Sequence, residues 1–157
     1  MGRTEELKQY YKLEKHPEGG CFCECYTSEA FQGGRNYAGN IYFLLEKDEI
    51  SHFHQIDCEE IWFYHEGCGM KITVISKEGV AEYILSNKTD SNDNVMVAIP
   101  KGAIFAAQNL DPSGYTFVSC VTTPKFSYEG FRLVYKNEIK ELCPDKAEEL
   151  YLLAYED

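Results

Sequence analysis

Residues 51–67 read SHFHQIDCEEIWFYHEG. His52 and His54 are separated by one residue, Glu59 and Glu60 follow, and an aromatic run then stops at Gly67. Strict strand alternation places both imidazoles on one side of a sheet. The carboxylate of Glu59 or Glu60 returns on the partner strand of a hairpin. Two imidazoles and a carboxylate converging on one point can hold a divalent metal. The same groups can bind a polar ligand or move a proton with no metal.

Outward from this stretch the chain reads as a series of short strands. Before it stand Cys21–Thr27, which alternates Phe22, Glu24 and Tyr26 against Cys21, Cys23 and Cys25, and Tyr37–Leu45, rich in β-formers. The turn 32–36 lies between them. Ile50–Ile56 and Glu60–Tyr64 carry the opening motif. Lys71–Ser76 and Val80–Leu85 form a hairpin about Glu78-Gly79. Val95–Ile99, Ala103–Gln108 and Tyr115–Val121 follow, and Phe126–Val134 holds a last short strand. Helices are expected only at the ends. One is capped by Thr4, with Leu7, Tyr10 and Tyr11 on its apolar face, and the other begins at Pro144, with Ala147, Leu150, Tyr151 and Ala154 facing inward. Eight or more strands with regular turn signals define an all-β antiparallel sandwich or barrel, and a double-sheet jelly roll fits their number and length.

The 157 residues suffice for one domain, 1–157, with a substantial core. No apolar run is long enough to span a membrane, and MGRTEELKQYY lacks the apolar centre of a signal peptide. Seven cysteines without an export signal read as reduced thiols in a cytoplasmic protein. A net charge of -11 repels phosphate backbones and anionic lipid, which argues against nucleic-acid and membrane partners.

Several motifs together resemble the cupin superfamily, in the branch called cupin-5 or DUF985. These are His16-Pro17-Glu18-Gly19-Gly20 followed by Phe22, Glu24 and Tyr26; Ile41-Tyr42-Phe43-Leu44-Leu45; His54 with Glu60-Ile61-Trp62 and Gly67; Ile99-Pro100-Lys101-Gly102; and Ser119-Cys120, Pro124, Phe126 and Phe131. The resemblance covers nearly the whole chain. It implies a double-stranded β-helix (RmlC-like jelly-roll barrel), a homodimer and a ligand pocket in the barrel mouth. Metal-binding cupins usually carry one more histidine after the Pro-x-Gly turn. Here that position is Phe105, which cannot ligate. Gln55 stands where the branch commonly has arginine, a change that shifts preference away from an anionic ligand.

Three functional readings follow. In the first, a small polar metabolite such as a sugar or nucleotide-sugar binds without metal or other cofactor, and His54 as base with Tyr64 as donor performs isomerase or epimerase chemistry while Glu60 orients the imidazole. Trp62 offers a flat face to the ligand and Phe105 the opposite wall, with Arg35, Tyr42 and Gln108 as further contacts. In the second, His52, His54 and Glu60 hold Fe, Mn, Ni or Zn. In the third, the same pocket binds without turnover, as a sensor module. The register in which Glu60, Trp62 and Tyr64 face inward is preferred over the one set by Glu59. His16 is expected to organise its loop, His65 to lie at the surface, and Arg132 to form an ordinary ion pair.

Overall fold

The computed structural model describes residues 1–31 and 34–157, so Gln32 and Gly33 of the expected turn lie outside the described residues. A helix, α1 (Arg3–Tyr11), leads into β1 (Glu14–Lys15), β2 (Cys21–Thr27), β3 (Gly39–Glu46), β4 (Ile50–Gln55) and β5 (Glu59–Gly67). Then come β6 (Met70–Ser76), β7 (Gly79–Leu85), β8 (Met96–Ile99), β9 (Ile104–Asn109), β10 (Tyr115–Thr123) and β11 (Arg132–Leu133). The chain ends in α2 (Lys136–Leu142), α3 (Ala147–Leu150) and a 3-10 turn, Tyr151–Leu153.

The strands form two antiparallel sheets, in the orders β1-β2-β3-β10-β5-β8 and β11-β4-β9-β6-β7. Between them lies the main core, built on Phe43, Leu45, Trp62, Ile72, Phe105 and Val118. Alternation sends the intervening residues outward. Leu44 and Phe117 meet Leu7 of α1 on the back of the larger sheet. Phe53, Ile104 and Ala106 meet Ile139, Leu150 and Leu153 on the back of the smaller one. The β9 run Ile-Phe-Ala-Ala is therefore buried on both faces, as a central strand covered by helices must be. Burying such side chains contributes about 1.5–3 kcal/mol each, so both terminal segments are part of the barrel's stability.

Two irregularities position the site. Ser51 pairs with Ala107, whereas His54 pairs with Phe105, so β4 spends one residue more than β9 over this interval. That two-against-one bulge breaks alternation: Ile50 and Phe53 share the outer cluster, and the His52 ring packs at a tilt against Tyr155, 4.6 Å away. The expectation that both imidazoles face one side is corrected by this bulge. A second bulge lies where Phe117 opposes Glu66 but Val118 opposes Tyr64, which leaves His65 as the extra residue. His65 is exposed, as expected, and its Nε2 lies 2.9 Å from Ser119 Oγ.

The helices depart most from expectation. Thr4 lies inside α1, whose N-cap is Gly2 without a side-chain cap, and Tyr10 is 80% exposed. The single helix expected from Pro144 is instead a short α-turn and a 3-10 turn, although Ala147, Leu150 and Ala154 are buried as the spacing required. The helix α2 is additional, anchored by Ile139 alone. Arg132 makes the expected ion pair, with Glu138 at 2.6 Å.

Candidate functional site

The loop 16–20 delivers the first half of the site. Gly19 has φ +113°, and a Cβ there would stand 2.0 Å from the Ile50 carbonyl oxygen. Gly20 is pressed against Leu44 and the Phe43 ring. Only glycine tolerates these approaches, and the resulting sharp turn drives Glu18 into the barrel. The loop is pinned from behind. The His52 backbone N–H donates to the Glu18 carbonyl at 2.9 Å, His52 Nδ1 lies 3.0 Å from the same oxygen, and Tyr155 Oη donates to the Pro17 carbonyl at 2.9 Å.

Glu18 and His54 then form a buried pair, 5% and 2% exposed, with Nε2 to Oε2 at 2.8 Å. His54 Nδ1 lies 2.7 Å from the His52 carbonyl, which can only accept, so that nitrogen carries a proton. The ring packs on Phe105, at 4.2 Å between centroids, and on Phe131. Burial alone would depress the His54 pKa, but the Glu18 carboxylate and its hydrogen bond raise it. Burial likewise pushes Glu18 upward, and His54 with His16 outweighs that to bring it below the ordinary carboxylate value. The result is an ion pair at neutral pH. His16, edge-on to Phe22 at 4.6 Å, is pushed toward its neutral form by burial.

Glu60 supplies the second half. It is buried and Glu59 exposed, which establishes the preferred register. Among the described residues it closes no ion pair and no well-formed hydrogen bond. The Cys120 thiol and the Trp62 indole N–H are polar groups beside it, and Trp62 Nε1 is itself buried without a partner. Burial, with Glu18 adding repulsion, pushes the Glu60 carboxyl up to about 8. At neutral pH the site thus holds one ionised carboxylate, paired with a cationic imidazole, and one neutral carboxylic acid. Burial also pushes the Cys120 thiol well up, so it stays neutral.

These groups share one cavity of ≈ 180 Å3. His16, Glu18, His54, Glu60 and Cys120 line it. Phe22, Glu24, Lys125, Phe126 and Tyr128 also line it. Lys125 is engaged by Glu24 at 2.6 Å and by Thr27 at 3.0 Å.

Of the residues selected from sequence, the structure brings His54 and Glu60 together. It does not bring Tyr64 to them. Four residues along β5 separate Tyr64 from Glu60, about 13 Å, and the Tyr64 hydroxyl donates to the Gly67 carbonyl at 2.7 Å. Trp62 and Phe105 are core residues, 1% and 0% exposed, and Phe105 lies beside His54 rather than across a pocket from it. Tyr42 packs on Tyr11 and Phe117 on the back of the larger sheet. Gln108 is paired with Ile50 and Lys71 between strands, away from the cavity. Arg35 is held in a fork by Asp57 at 2.8 and 3.0 Å and lies outside this cavity. His52, His54 and Glu60 do not converge as a ligand set: His52 is turned out by the bulge, and both His54 nitrogens are engaged. Among the described residues no group of three or more His, Cys, Asp or Glu side chains is placed to hold a metal. Glu18 is the residue that sequence reasoning passed over. Its signal was a carboxylate placed just before two glycines, where the backbone can turn sharply inward.

Two antiparallel sheets wrapped around a pocket in the barrel mouth, with helices on both outer faces, define a jelly-roll barrel of the cupin class. The chain belongs to the cupin superfamily family DUF985 (Cupin_5), whose pattern matches residues 5–134. No curated protein matches the sequence. A protein of Shewanella oneidensis solved by crystallography is similar at 30% identity, with TM-score 0.93 and 100% of both chains covered. A hypothetical protein from Leishmania major is similar at 27% identity, with TM-score 0.88, covering 99% of this chain and 100% of its own. KdgF from Halomonas sp., at 10% identity and TM-score 0.55 over 77% of this chain and 93% of its own, shares the fold alone. Among the described residues no helix is long and apolar enough to cross a membrane.

Proposed function

We propose that the protein binds a small polar metabolite in the barrel pocket, between the Glu18–His54 pair and Glu60. The observation that carries this reading is the buried Glu60 carboxyl, which lines an open cavity without a counter-charge of its own. Burying an unpaired ionisable group lowers stability unless a partner meets it, and groups so perturbed inside a cavity are favoured binding positions. The size of the cavity suits a metabolite of monosaccharide scale. Screening small polar metabolites by NMR tests the reading. Saturable shifts confined to His54, Glu60 and Cys120 support it, and hits that map only elsewhere on the surface count against it.

A second reading, isomerase or epimerase chemistry, is favoured by one observation, the opposed protonation states of Glu18 and Glu60. Both His54 nitrogens are engaged, so His54 acts by holding Glu18 ionised. Glu18 Oε1 removes the proton next to a carbonyl, and the Glu60 acid protonates the carbonyl oxygen, which leaves an enediol. Incorporation of solvent deuterium into a keto sugar, lost in Glu18→Gln, is the expected result. No exchange in any keto sugar tried rules this chemistry out for that class.

We extend the proposal to a cytosolic homodimer. Seven free thiols favour the location. β1 covers only Cys21 and Phe22 of β2, leaving the rest of that edge open for pairing. Light scattering on purified protein tests the dimer: a monomer at micromolar concentration contradicts it.

A further inference from the structure

We infer that the pocket selects a ligand carrying a protonated amine, with its ammonium group seated on Glu60. This rests on the binding reading above and names the chemistry of its ligand.

The first ground is charge. Three carboxyl groups line the cavity: Glu18, Glu24 and Glu60. Among the described residues one fixed cation lines it, Lys125, and Glu24 already holds that ammonium at 2.6 Å. His54 balances Glu18 at 2.8 Å. With both pairs closed, an ionised Glu60 leaves the cavity one positive charge short. The arginines on either side cannot supply it, because Arg35 is forked onto Asp57 and Arg132 onto Glu138. The charged and titratable groups that face Glu60 are Glu18 on its loop, His54 on β4, Cys120 on β10 and the Cys58 thiol just before β5. None of them is an unpaired cation. An anionic ligand would find no free cation in the cavity, whereas an ammonium pairs with the carboxylate that Glu60 forms on losing its proton.

The second ground is shape. Phe22, Phe126 and Tyr128 line the same cavity, and Phe126 meets Tyr128 edge-on at 4.9 Å. Aromatic rings around a carboxylate are favourable surroundings for an organic cation, since the ring faces carry negative potential. The third ground is that Glu60 is 7% exposed, which makes it a deeply buried carboxyl with one open side toward the cavity. An ammonium arriving there draws the proton off Glu60 into solvent, and the carboxylate so formed pairs with it. The complex therefore contains an ionised Glu60, whereas the isomerase reading requires the acid to persist.

Matched probes test this: ethanolamine, ethylene glycol and glycolate as one set, glucosamine, glucose and gluconate as another, titrated by calorimetry at pH 7 in two buffers of different ionisation enthalpy. Within at least one set the ammonium member binds at least about tenfold more tightly than its neutral partner. Its binding releases a proton from the carboxyl held up at about 8, and the preference disappears in Glu60→Gln. The Gln variant keeps the shape of the neutral acid, so loss of preference is not loss of fold, and its circular dichroism checks that. If neutral or anionic members bind as well as the ammonium ones, or if Glu60→Gln keeps the preference, the amine inference fails while the binding reading stands. If no probe of any charge binds, both fail.

Discussion

Replacing Glu60 with glutamine should make the protein more stable, and increasingly so as pH rises. Between the ordinary carboxylate value of 4.5 and the folded value of about 8, the native state holds a proton that the unfolded chain has released. The native state then binds more protons than the unfolded one, so stability falls with rising pH across that window and levels off above it. At pH 7 the retained proton costs about 3 kcal/mol at 1.36 kcal/mol per unit. Glutamine has the shape of the protonated acid and cannot titrate. Its amide adds an N–H beside Cys120 and Trp62, which offsets about 1 kcal/mol of the gain. The net expectation is about 2 kcal/mol at pH 7, or a Tm rise of about 4–8 °C for a chain of this size. Urea denaturation of both proteins at pH 5, 6, 7 and 8 measures it. Other titrating groups are common to both, so they largely cancel in the difference. The gap should be near zero at pH 5 and widen steadily to pH 8. A gap of constant size, or one that narrows, would refute the assignment of the retained proton to Glu60.

Other substitutions probe the opposite half of the site. Glu18→Gln strands a buried imidazolium and should cost about 3–5 kcal/mol at pH 6; histidine NMR should show the His54 midpoint falling, and an unchanged midpoint would contradict the pair. Because Glu18 is held below its usual value, the wild-type protein should keep this stabilisation above about 4.5 and lose it as pH falls through the folded value, seen as a steep acid limb absent from Glu18→Gln. Gly19→Ala drives a Cβ onto the Ile50 carbonyl at a disallowed φ and should cost about 2–4 kcal/mol, while Gly79→Ala, at similar φ but in open space, should cost about 1–2 by the same denaturation measurement. Tyr155→Phe removes the bond to Pro17 and should cost about 1 kcal/mol, with faster amide exchange at Gly19; unchanged exchange would mean that the chain terminus does not pin the loop.

The strands were legible because alternation survives most of the chain: the apolar sets of β3, β5 and β9 sort cleanly between two faces. Alternation was also the source of the largest misplacement. It predicts that His52 and His54 share a side, and a single extra residue in β4 reverses that for one of them. Nothing in SHFHQ distinguishes a regular strand from a bulged one, since the bulge is set by how Ile50 and Phe53 both reach the outer cluster. Trp62 and Tyr64 were correctly placed on the inner face, but an inner face runs the depth of the barrel, and only its Glu60 end meets the cavity. Glu18 was concealed for a different reason. It sits in a loop with no periodicity, and its direction depends on Gly19 and Gly20 packing against strands distant in sequence. The helix α2 had weak signals, with no side-chain cap and one buried residue, so its existence depends on the sheet face that it covers.

The pocket holds one carboxyl neutral, Glu60, and one ionised, Glu18, at physiological pH. Carboxyl carbon NMR of glutamate-labelled protein, titrated from pH 3 to 10 and assigned with Glu60→Gln and Glu18→Gln, measures this directly. One resonance, missing in Glu60→Gln, should titrate near 8, and one, missing in Glu18→Gln, should titrate below the ordinary carboxylate value. If every glutamate titrates together in the ordinary range near 4.5, the opposed pair does not exist.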